Sequence, residues 1–151
     1  MTIFQVPSVL SSLDKYSDTI VALSTPPGRS AIGLIRMSGP DALPLALRIF
    51  QPLHSVHITE RMAVYGRVIH PQKNEILDDG LLVFFKAPKS YTGEDMVELS
   101  LHGSPVVLDT VIRLLLFEGA RLATRGEFTR RALLNGKLDL LQAEAVIDLI
   151  D

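Results

Sequence analysis

Cysteine is absent from the 151 residues of this chain. Its absence excludes a disulfide framework, a thiolate metal site and a cysteine nucleophile, and it makes a reducing cytoplasm the expected compartment. A strong charge of either sign is also missing, because 15 basic and 17 acidic residues leave a formal net charge of −2. The chain therefore lacks the broad positive field of proteins that contact phosphate backbones, and nucleic acid is not its expected direct ligand.

Long apolar runs are missing as well. The most apolar stretch, residues 106–117, is interrupted by Asp109 and Arg113 and is too short to span a bilayer. The amino terminus has no basic segment ahead of an apolar core, so it does not resemble a signal peptide. With 47% hydrophobic residues, the chain can bury one substantial core, and we expect a soluble domain plus a fragment of a second.

Short β-branched and aliphatic runs predict a mixed β-sheet with flanking helices, an α/β (α+β) fold. The first two strands, residues 18–24 and 31–38, are expected to be neighbours because Pro26-Pro27-Gly28 turns the chain between them. The remaining strands are predicted at 62–70, 81–86 and 95–101, with turn signals at 78–80 and 90–93.

Capping signals predict two helices that flank this sheet. Gly39-Pro40-Asp41 opens the first, which runs to about Phe50. Ser104 followed by Pro105 opens the second, which ends at Gly119, because serine caps free amide groups and proline is tolerated at the first helical position.

Two capping boxes open further helices in succession. They pair Thr124 with Glu127 and Asp139 with Gln142. Two successive helices indicate a second, all-helical region. Because the last helix reaches Asp151 without a stop signal, we expect the native chain to continue.

Two charged residues fall in strands that are otherwise apolar. Successive side chains of a strand point to opposite faces, so Glu98 faces away from the core side of its strand. The core-facing residues there are Val97, Leu99 and Leu101, and Ser100 and His102 share the Glu98 face. Arg36 lies in a strand that we expect to be fully buried. Such charges have a partner or a ligand, and the pattern leaves open whether Arg36 and Glu98 pair with each other or bind a ligand.

Other polar residues have a structural interpretation beside a functional one. Gly28-Arg29 could present amides and a cation to an anion, or form an ordinary turn. Lys137, between two capped helices, is either a binding cation or a solvated lysine. The basic residues near the carboxyl end either favour an anionic partner or solvate their helices; they include Arg121, Arg125, Arg130 and Arg131.

Neither the histidines nor the Gly-Lys pair predicts a metal or phosphate site. No second cluster of ligands accompanies His54, His57 or His70, and His102 is expected to be a packed histidine. Gly136-Lys137 is not a phosphate-binding loop, because such a loop needs a glycine at the position of Arg131 and a hydroxyl at the position of Leu138.

Three segments carry a family resemblance. DTIVALSTPPGRSAIGLIRMSG (residues 18–39), SYTGEDMVELSLHG (90–103) and RGEFTRRALLNGKLDLLQAEAVIDLID (125–151) resemble, in order and spacing, the MnmE (TrmE) family of tRNA modification GTPases. The resemblance implies a folate-binding domain similar to that of the glycine-cleavage aminomethyltransferase, followed by a helical domain into which a GTPase domain is inserted. The expected divisions are an extension over residues 1–17, the folate-binding and dimerisation domain over 18–123, and the start of the helical domain over 124–151.

The resemblance also implies an activity for the whole protein. Members of the family are cytoplasmic homodimers that work with the FAD-dependent protein MnmG. Together they install an aminomethyl or carboxymethylaminomethyl group at carbon 5 of the tRNA wobble uridine, with a tetrahydrofolate derivative, such as 5-formyl-tetrahydrofolate, supplying the one-carbon unit. GTP, Mg²⁺ and K⁺ would bind the GTPase domain, which is absent from these residues.

Family positions that contact the folate correspond to Arg36, Glu98 and Lys137 of this sequence. The resemblance therefore implies a cofactor site at these three residues, with no catalytic residue and no metal ligand in this segment. The sequence departs from the family pattern at Ser30, where glycine is usual, and at Leu133, where phenylalanine is usual. Two alternatives remain open: a stand-alone folate-dependent aminomethyltransferase, and a pure dimerisation scaffold in which Arg36 and Glu98 form a structural ion pair.

Overall fold

The structure, a computed structural model, describes residues 17–150. The extension predicted over residues 1–17 therefore lies, except for its last residue, outside the described part. Within residues 17–150, seven strands form one sheet. They are β1 (Ile20–Leu23), β2 (Ser30–Ser38), β3 (Phe50–Pro52), β4 (Ala63–His70), β5 (Glu75–Phe85), β6 (Met96–Gly103) and β7 (Arg121–Leu122).

The sheet has the strand order β3-β4-β5-β6-β2-β1-β7. Each pair of neighbouring strands is antiparallel except β1 and β7, which are parallel. The predicted mixed sheet, and the predicted pairing of the first two strands, are confirmed. Strands β3 and β7, of three and two residues, were not predicted because such short segments carry no periodic pattern.

The helices within the described range are α1 (Ala42–Ile49), α2 (Pro105–Glu118), α3 (Glu127–Leu134) and α4 (Leu140–Ile150). Helix α2 begins at Pro105 and is followed by Gly119 at φ +120°, as predicted, although the Ser104 hydroxyl makes no capping hydrogen bond within residues 17–150. None of these helices is long and apolar enough to cross a bilayer.

The capping boxes form to different extents. Before α4, the Asp139 N–H donates to Gln142 at 2.9 Å and the Gln142 N–H donates to Asp139 at 2.7 Å, which is the complete reciprocal box. Before α3, the Glu127 carboxylate accepts from the Thr124 N–H at 2.8 Å, but the Thr124 hydroxyl donates to the same carboxylate at 3.1 Å. Only half of that box therefore forms: both Thr124 donors bind the Glu127 carboxylate, so the Thr124 hydroxyl does not accept the Glu127 N–H as it would in the complete box.

Helices α1 and α2 cover one face of the sheet and form the core with it. In β6 the residues Val97, Leu99 and Leu101 are buried against them, whereas Glu98 and Ser100 are half-buried on the opposite face. The predicted alternation of β6 is confirmed. It places Glu98 on the side of the sheet that the two helices leave uncovered, which we call the open face.

Strand β2 is not fully buried, so that prediction is wrong. Ile35 and Met37 face the helices and are inaccessible, but Ile32 on the open face is 60% exposed and Arg36 is half-buried. The apolar run suggested burial on both sides, whereas α1 and α2 cover only the side of the sheet that Ile35 and Met37 face. Arg36 consequently lies on the open face, where a ligand can reach it.

The turn predicted at residues 78–80 is also wrong, because these residues lie inside β5. The chain turns earlier, over residues 71–74, with Asn74 at φ +53°. Asp78 is satisfied within the sheet, since its carboxylate accepts the His102 backbone N–H at 2.9 Å. Gly80 passes so close to the Ser100 carbonyl that a side chain would collide with it. In this Asp-Asp-Gly sequence the glycine therefore allows the close approach of the neighbouring strand β6, and the sequence does not form a turn.

Candidate functional site

Arg36 and Glu98 lie directly opposite each other on the adjacent strands β2 and β6. The Arg36 Nε and Nη2 atoms donate to Glu98 Oε1 at 2.9 and 2.7 Å. Both bonds go to the same oxygen, and Oε2 accepts no hydrogen bond from the described residues. The side chains are 25% and 20% exposed, so the pair is sheltered but open to a ligand.

Two aromatic rings flank the Arg36 guanidinium. Its Cζ atom lies 5.6 Å from the centre of the Tyr91 ring and 5.8 Å from that of Phe128. Tyr91 belongs to the segment between β5 and β6, and Phe128 belongs to α3. At these distances the rings attract the cation without neutralising it. They help to fix the guanidinium beside Glu98 and occupy none of its hydrogen-bond donors.

A cavity of about 650 Å³ lies beside this pair. Arg36, Glu98 and Lys137 all line it, so the structure brings the three predicted residues together. The remaining lining residues are Arg61, Phe85, Lys89, Ser90, Tyr91 and Met96. Four cations and one carboxylate among these side chains give the cavity a positive balance with a single acidic acceptor.

Lys137 reaches the cavity from the turn between α3 and α4. Its Nζ atom donates to the Pro88 carbonyl at 3.1 Å, which holds the ammonium group against the segment between β5 and β6. Gly136, the preceding residue, adopts φ +69°, a left-handed conformation that glycine adopts readily and that ends α3. The two interpretations of Lys137 are not exclusive, because this lysine is exposed and also lines the cavity.

Gly28-Arg29 lies away from these residues, in the loop that joins β1 to β2. Both residues are exposed, and Gly28 adopts φ +115°. This geometry is that of the ordinary turn. The loop lies beyond the end of β2 that is opposite to Ser38, so it does not extend the cavity at Arg36.

A buried ionic cluster was missed in the sequence. Arg131, on α3, has no exposed surface and pairs with Asp18, Glu94 and Glu127. Arg121 pairs with Asp18 and Glu127. The sequence left open whether Arg121 and Arg131 favour an anionic partner or solvate their helices, and the structure surrounds them with three carboxylates of the same chain. The i, i+4 spacing of Glu127 and Arg131 was the one local signal for this cluster.

The cluster shifts the pKa of its carboxyl groups downward. Burial alone would raise the pKa of Glu127, but the hydrogen bonds from Arg121, from the Thr124 N–H and from Arg131 outweigh it and lower the pKa from 4.5 to about 2. Asp18 shows the same balance: burial opposes ionisation, while Arg121 and Arg131 lower its pKa. Both groups are therefore held as anions at neutral pH.

His102 is not a packed histidine, and that prediction is wrong. Its side chain is 74% exposed, and its Nδ1 atom lies 2.7 Å from Asp78 Oδ1. The hydrogen bond with Asp78, followed by the charge of that carboxylate, raises the pKa of His102 above 6.5. Among residues 17–150, no group of three or more histidine and acidic side chains is arranged to hold a metal ion.

These features define an α/β domain that carries a cation-rich cavity on the open face of a mixed sheet. The sequence profile of the family described as "GTP-binding protein TrmE N-terminus" matches residues 19–137. The chain is 50% identical over 134 residues to the tRNA modification GTPase MnmE of Thermus thermophilus, which covers 89% of this chain and 31% of that protein. It is 53% identical over 133 residues to the MnmE of Aquifex aeolicus, covering 88% of this chain and 29% of that protein.

The chain belongs to the MnmE (TrmE) family and corresponds to the amino-terminal region of its members. The family predicted from the three sequence segments is therefore confirmed. The chain spans less than a third of the length of these relatives. The predicted domain boundary between residues 123 and 124 stays a prediction, and Arg131 of α3 is hydrogen-bonded across it to Asp18 and Glu94.

Proposed function

We propose that this chain is the folate-binding and dimer-forming part of a tRNA modification GTPase. The observation that carries the proposal is the convergence of Arg36, Glu98 and Lys137 on one cavity, although they lie on β2, on β6 and after α3. The relatives are named tRNA modification GTPases, which supports the assignment of the whole protein. That protein would act with MnmG on carbon 5 of the wobble uridine, in the cytoplasm.

The cavity suits a reduced folate in size and charge. Its volume of about 650 Å³ falls within the range of roughly 300–1,000 Å³ found for small-molecule and cofactor sites. The amino-pyrimidinone edge of a pterin presents adjacent N–H donors, which a carboxylate can accept as a pair. Glu98 is the carboxylate that lines the cavity, and its Oε2 atom is not engaged by Arg36.

The cations suit the rest of a folate. Its glutamate moiety carries carboxylates and its formyl group carries a carbonyl, and Arg36, Arg61, Lys89 and Lys137 supply donors for such oxygens. The rings of Tyr91 and Phe85 also line the cavity and provide flat surfaces for a planar pterin. This chain would thus bind and orient the one-carbon carrier.

GTP hydrolysis would belong to another part of the whole protein. The Gly-Lys pair of this chain has Arg131 and Leu138 where a phosphate-binding loop needs glycine and a hydroxyl. Arg131 is moreover buried in the ionic cluster and is unavailable to a nucleotide. GTP, Mg²⁺ and K⁺ would be ligands of the GTPase domain, and this segment would bind folate without catalysing a reaction.

Titration calorimetry with 5-formyl-tetrahydrofolate tests the proposal. We expect the wild-type chain to bind, and Glu98→Ala to weaken binding by about 1.5–3 kcal/mol, the usual worth of a hydrogen bond to a charged group. Glu118→Ala is the matched control, because Glu118 also pairs with an arginine but lies on α2, on the covered side of the sheet. Equal affinities for wild type and Glu98→Ala would reject the assigned role.

The same titration separates the folate site from a pure scaffold. The scaffold alternative is favoured by the Arg36–Glu98 pair, which forms within the protein as that alternative requires. If the pair is only structural, Glu98→Ala should lower the stability of the chain, and neither the wild type nor the variant should bind a reduced folate. A variant that unfolds more easily, in a chain that binds no reduced folate, would therefore favour the scaffold.

Dimerisation through the open face is the second part of the proposal. Ile32, Tyr65 and Leu81 lie on this face and are 60%, 50% and 40% exposed, an apolar surface of the kind that subunit interfaces cover. Light scattering after size-exclusion chromatography should give the mass of a dimer at micromolar concentration, and Leu81→Arg should shift it towards monomer. A clean wild-type monomer would contradict the proposal.

A further inference from the structure

Two segments outside the sheet place aromatic rings against Arg36, which lines the cavity. Residues 87–95, between β5 and β6, supply the Tyr91 ring, and α3 supplies the Phe128 ring. We call residues 87–95 together with α3 the clasp. Because both rings pack against the Arg36 guanidinium, a displacement of either segment would move a side chain that lines the cavity.

The buried side of α3 is mainly ionic. Its buried residues are Glu127, Arg131 and Ala132. The hydrophobic effect that holds apolar surfaces together has no direction of its own. Hydrogen bonds weaken steeply when the distance or the angle departs from the optimum. The position of α3 is therefore set by the geometry of its buried charges.

Arg131 is the centre of that geometry. Its Nη1 atom donates to the Asp18 carbonyl at 3.0 Å and contacts the Glu94 carboxylate at 3.2 and 3.3 Å. Its Nη2 atom donates to the Asp18 carboxylate at 2.7 Å and to Glu127 at 3.2 Å. Glu94 also accepts from the Ser38 hydroxyl at 2.7 Å, and Ser38 lies two residues after Arg36 on β2. One guanidinium thus ties α3, residues 87–95 and the sheet together.

Further bonds hold the two parts of the clasp to each other. The Tyr91 and Thr129 hydroxyls lie 2.9 Å apart, and the Asn135 side-chain amide donates to the Thr92 carbonyl at 2.7 Å. The Lys137 ammonium donates a third bond, to the Pro88 carbonyl. The three bonds therefore join α3 and the turn after it to residues 87–95. The ring of Tyr91 and the ammonium of Lys137 are therefore placed by the same assembly that Arg131 anchors.

We propose that Arg131 is a positioning residue of the cavity, which sets the place of α3 so that Phe128, Tyr91 and Lys137 stay around the Arg36–Glu98 pair. Arg131 lies in the buried cluster and does not line the cavity, so it acts through these side chains. The effect on ligand affinity rests on the proposed folate function. The effect on the geometry at Arg36 is independent of the proposed folate function.

Arg131→Lys tests the proposal, because lysine keeps the charge but cannot reproduce the fork of hydrogen bonds. We expect affinity for 5-formyl-tetrahydrofolate to fall about tenfold, the worth of roughly one good hydrogen bond. The Arg36 Nε–H resonance, which senses both rings, should also shift in nuclear magnetic resonance spectra recorded without ligand. Leu115→Ala is the control: Leu115 is buried in α2, so the variant should lose stability but keep both readouts.

The outcomes separate the inference from the proposed function. An unchanged Arg36 resonance in Arg131→Lys overturns the positioning role, whatever the affinity does. A shifted resonance in a protein that binds no folate supports the positioning role and rejects the proposed function. If Arg131→Lys does not fold, Asn135→Ala is the second variant. It removes the hydrogen bond from the residue that follows α3 to the Thr92 carbonyl of the clasp, and it should shift the Arg36 resonance. An unshifted resonance in Asn135→Ala would overturn the inference.

Discussion

Arg131→Met is expected to lower the free energy of unfolding by about 3–5 kcal/mol, the usual effect of removing one partner of a buried ion pair. Methionine retains much of the side-chain volume, so the loss should come from charge rather than from a cavity. Glu94 and Glu127, which are 8% and 1% exposed, would lose a cation while staying buried. Urea unfolding at pH 7, followed by circular dichroism, measures the difference.

The matched control is Arg113→Met. Arg113 pairs with Asp109 at i, i+4 on the surface of α2, where both side chains are largely exposed, so we expect a change below about 0.5 kcal/mol. Adding Glu94→Gln to Arg131→Met should restore part of the lost stability, because it removes one of the stranded charges. An Arg131→Met variant as stable as Arg113→Met would contradict the account of the cluster.

Glu127→Gln should remove an acid-dependent part of the stability amounting to about 3 kcal/mol, the free-energy equivalent of lowering a pKa from 4.5 to about 2. The carboxyl group binds a proton more readily in the unfolded chain than in the folded one. Its contribution is therefore complete above pH 4.5 and is lost as the pH falls towards 2. Wild type and variant should differ most near neutral pH and converge in acid.

Urea unfolding at several values between about pH 7 and about pH 2.5 measures this convergence. Asp109→Asn is the control, since Asp109 is an exposed carboxylate whose surface pair contributes little. That variant should follow the wild-type curve at a nearly constant distance. A gap between wild type and Glu127→Gln that stays constant as the pH falls would show that the ionic cluster does not stabilise the carboxylate.

The position of Glu98 could be predicted because it depends on local geometry. The two-residue period of β6 assigned it to the face opposite Val97 and Leu99, and the structure has it there. Arg36 could likewise be recognised from the sequence as a charged residue in an otherwise apolar strand. Their pairing was left open, because β2 and β6 lie 62 residues apart at this contact and no local rule fixes their register.

The turn predicted at residues 78–80 failed for a tertiary reason. Asp-Asp-Gly is a common turn sequence, and the preference is correct for an isolated segment. In the folded chain, Asp78 binds the backbone and the ring of His102, and Gly80 accommodates the approach of β6. These partners lie on another strand, so their effect on β5 could not be seen from the local sequence.

Arg131 shows where burial rules mislead. A basic residue on a short helix is expected in solvent. Arg131 is buried because Asp18, 113 residues earlier, and Glu94, 37 residues earlier, are brought beside it. Neither is signalled by spacing. By contrast, Lys137 was assigned to the site by family resemblance, and it does line the same cavity as Arg36 and Glu98.

A crystal structure of the chain grown with 5-formyl-tetrahydrofolate tests most directly whether this cavity is a folate site. We expect the amino-pyrimidinone edge of the pterin to lie within hydrogen-bonding distance of Glu98 and the ligand's oxygens to face Arg36 and Lys137. A folate bound elsewhere, or a cavity without folate in which Arg36 and Glu98 contact only each other, would contradict this expectation.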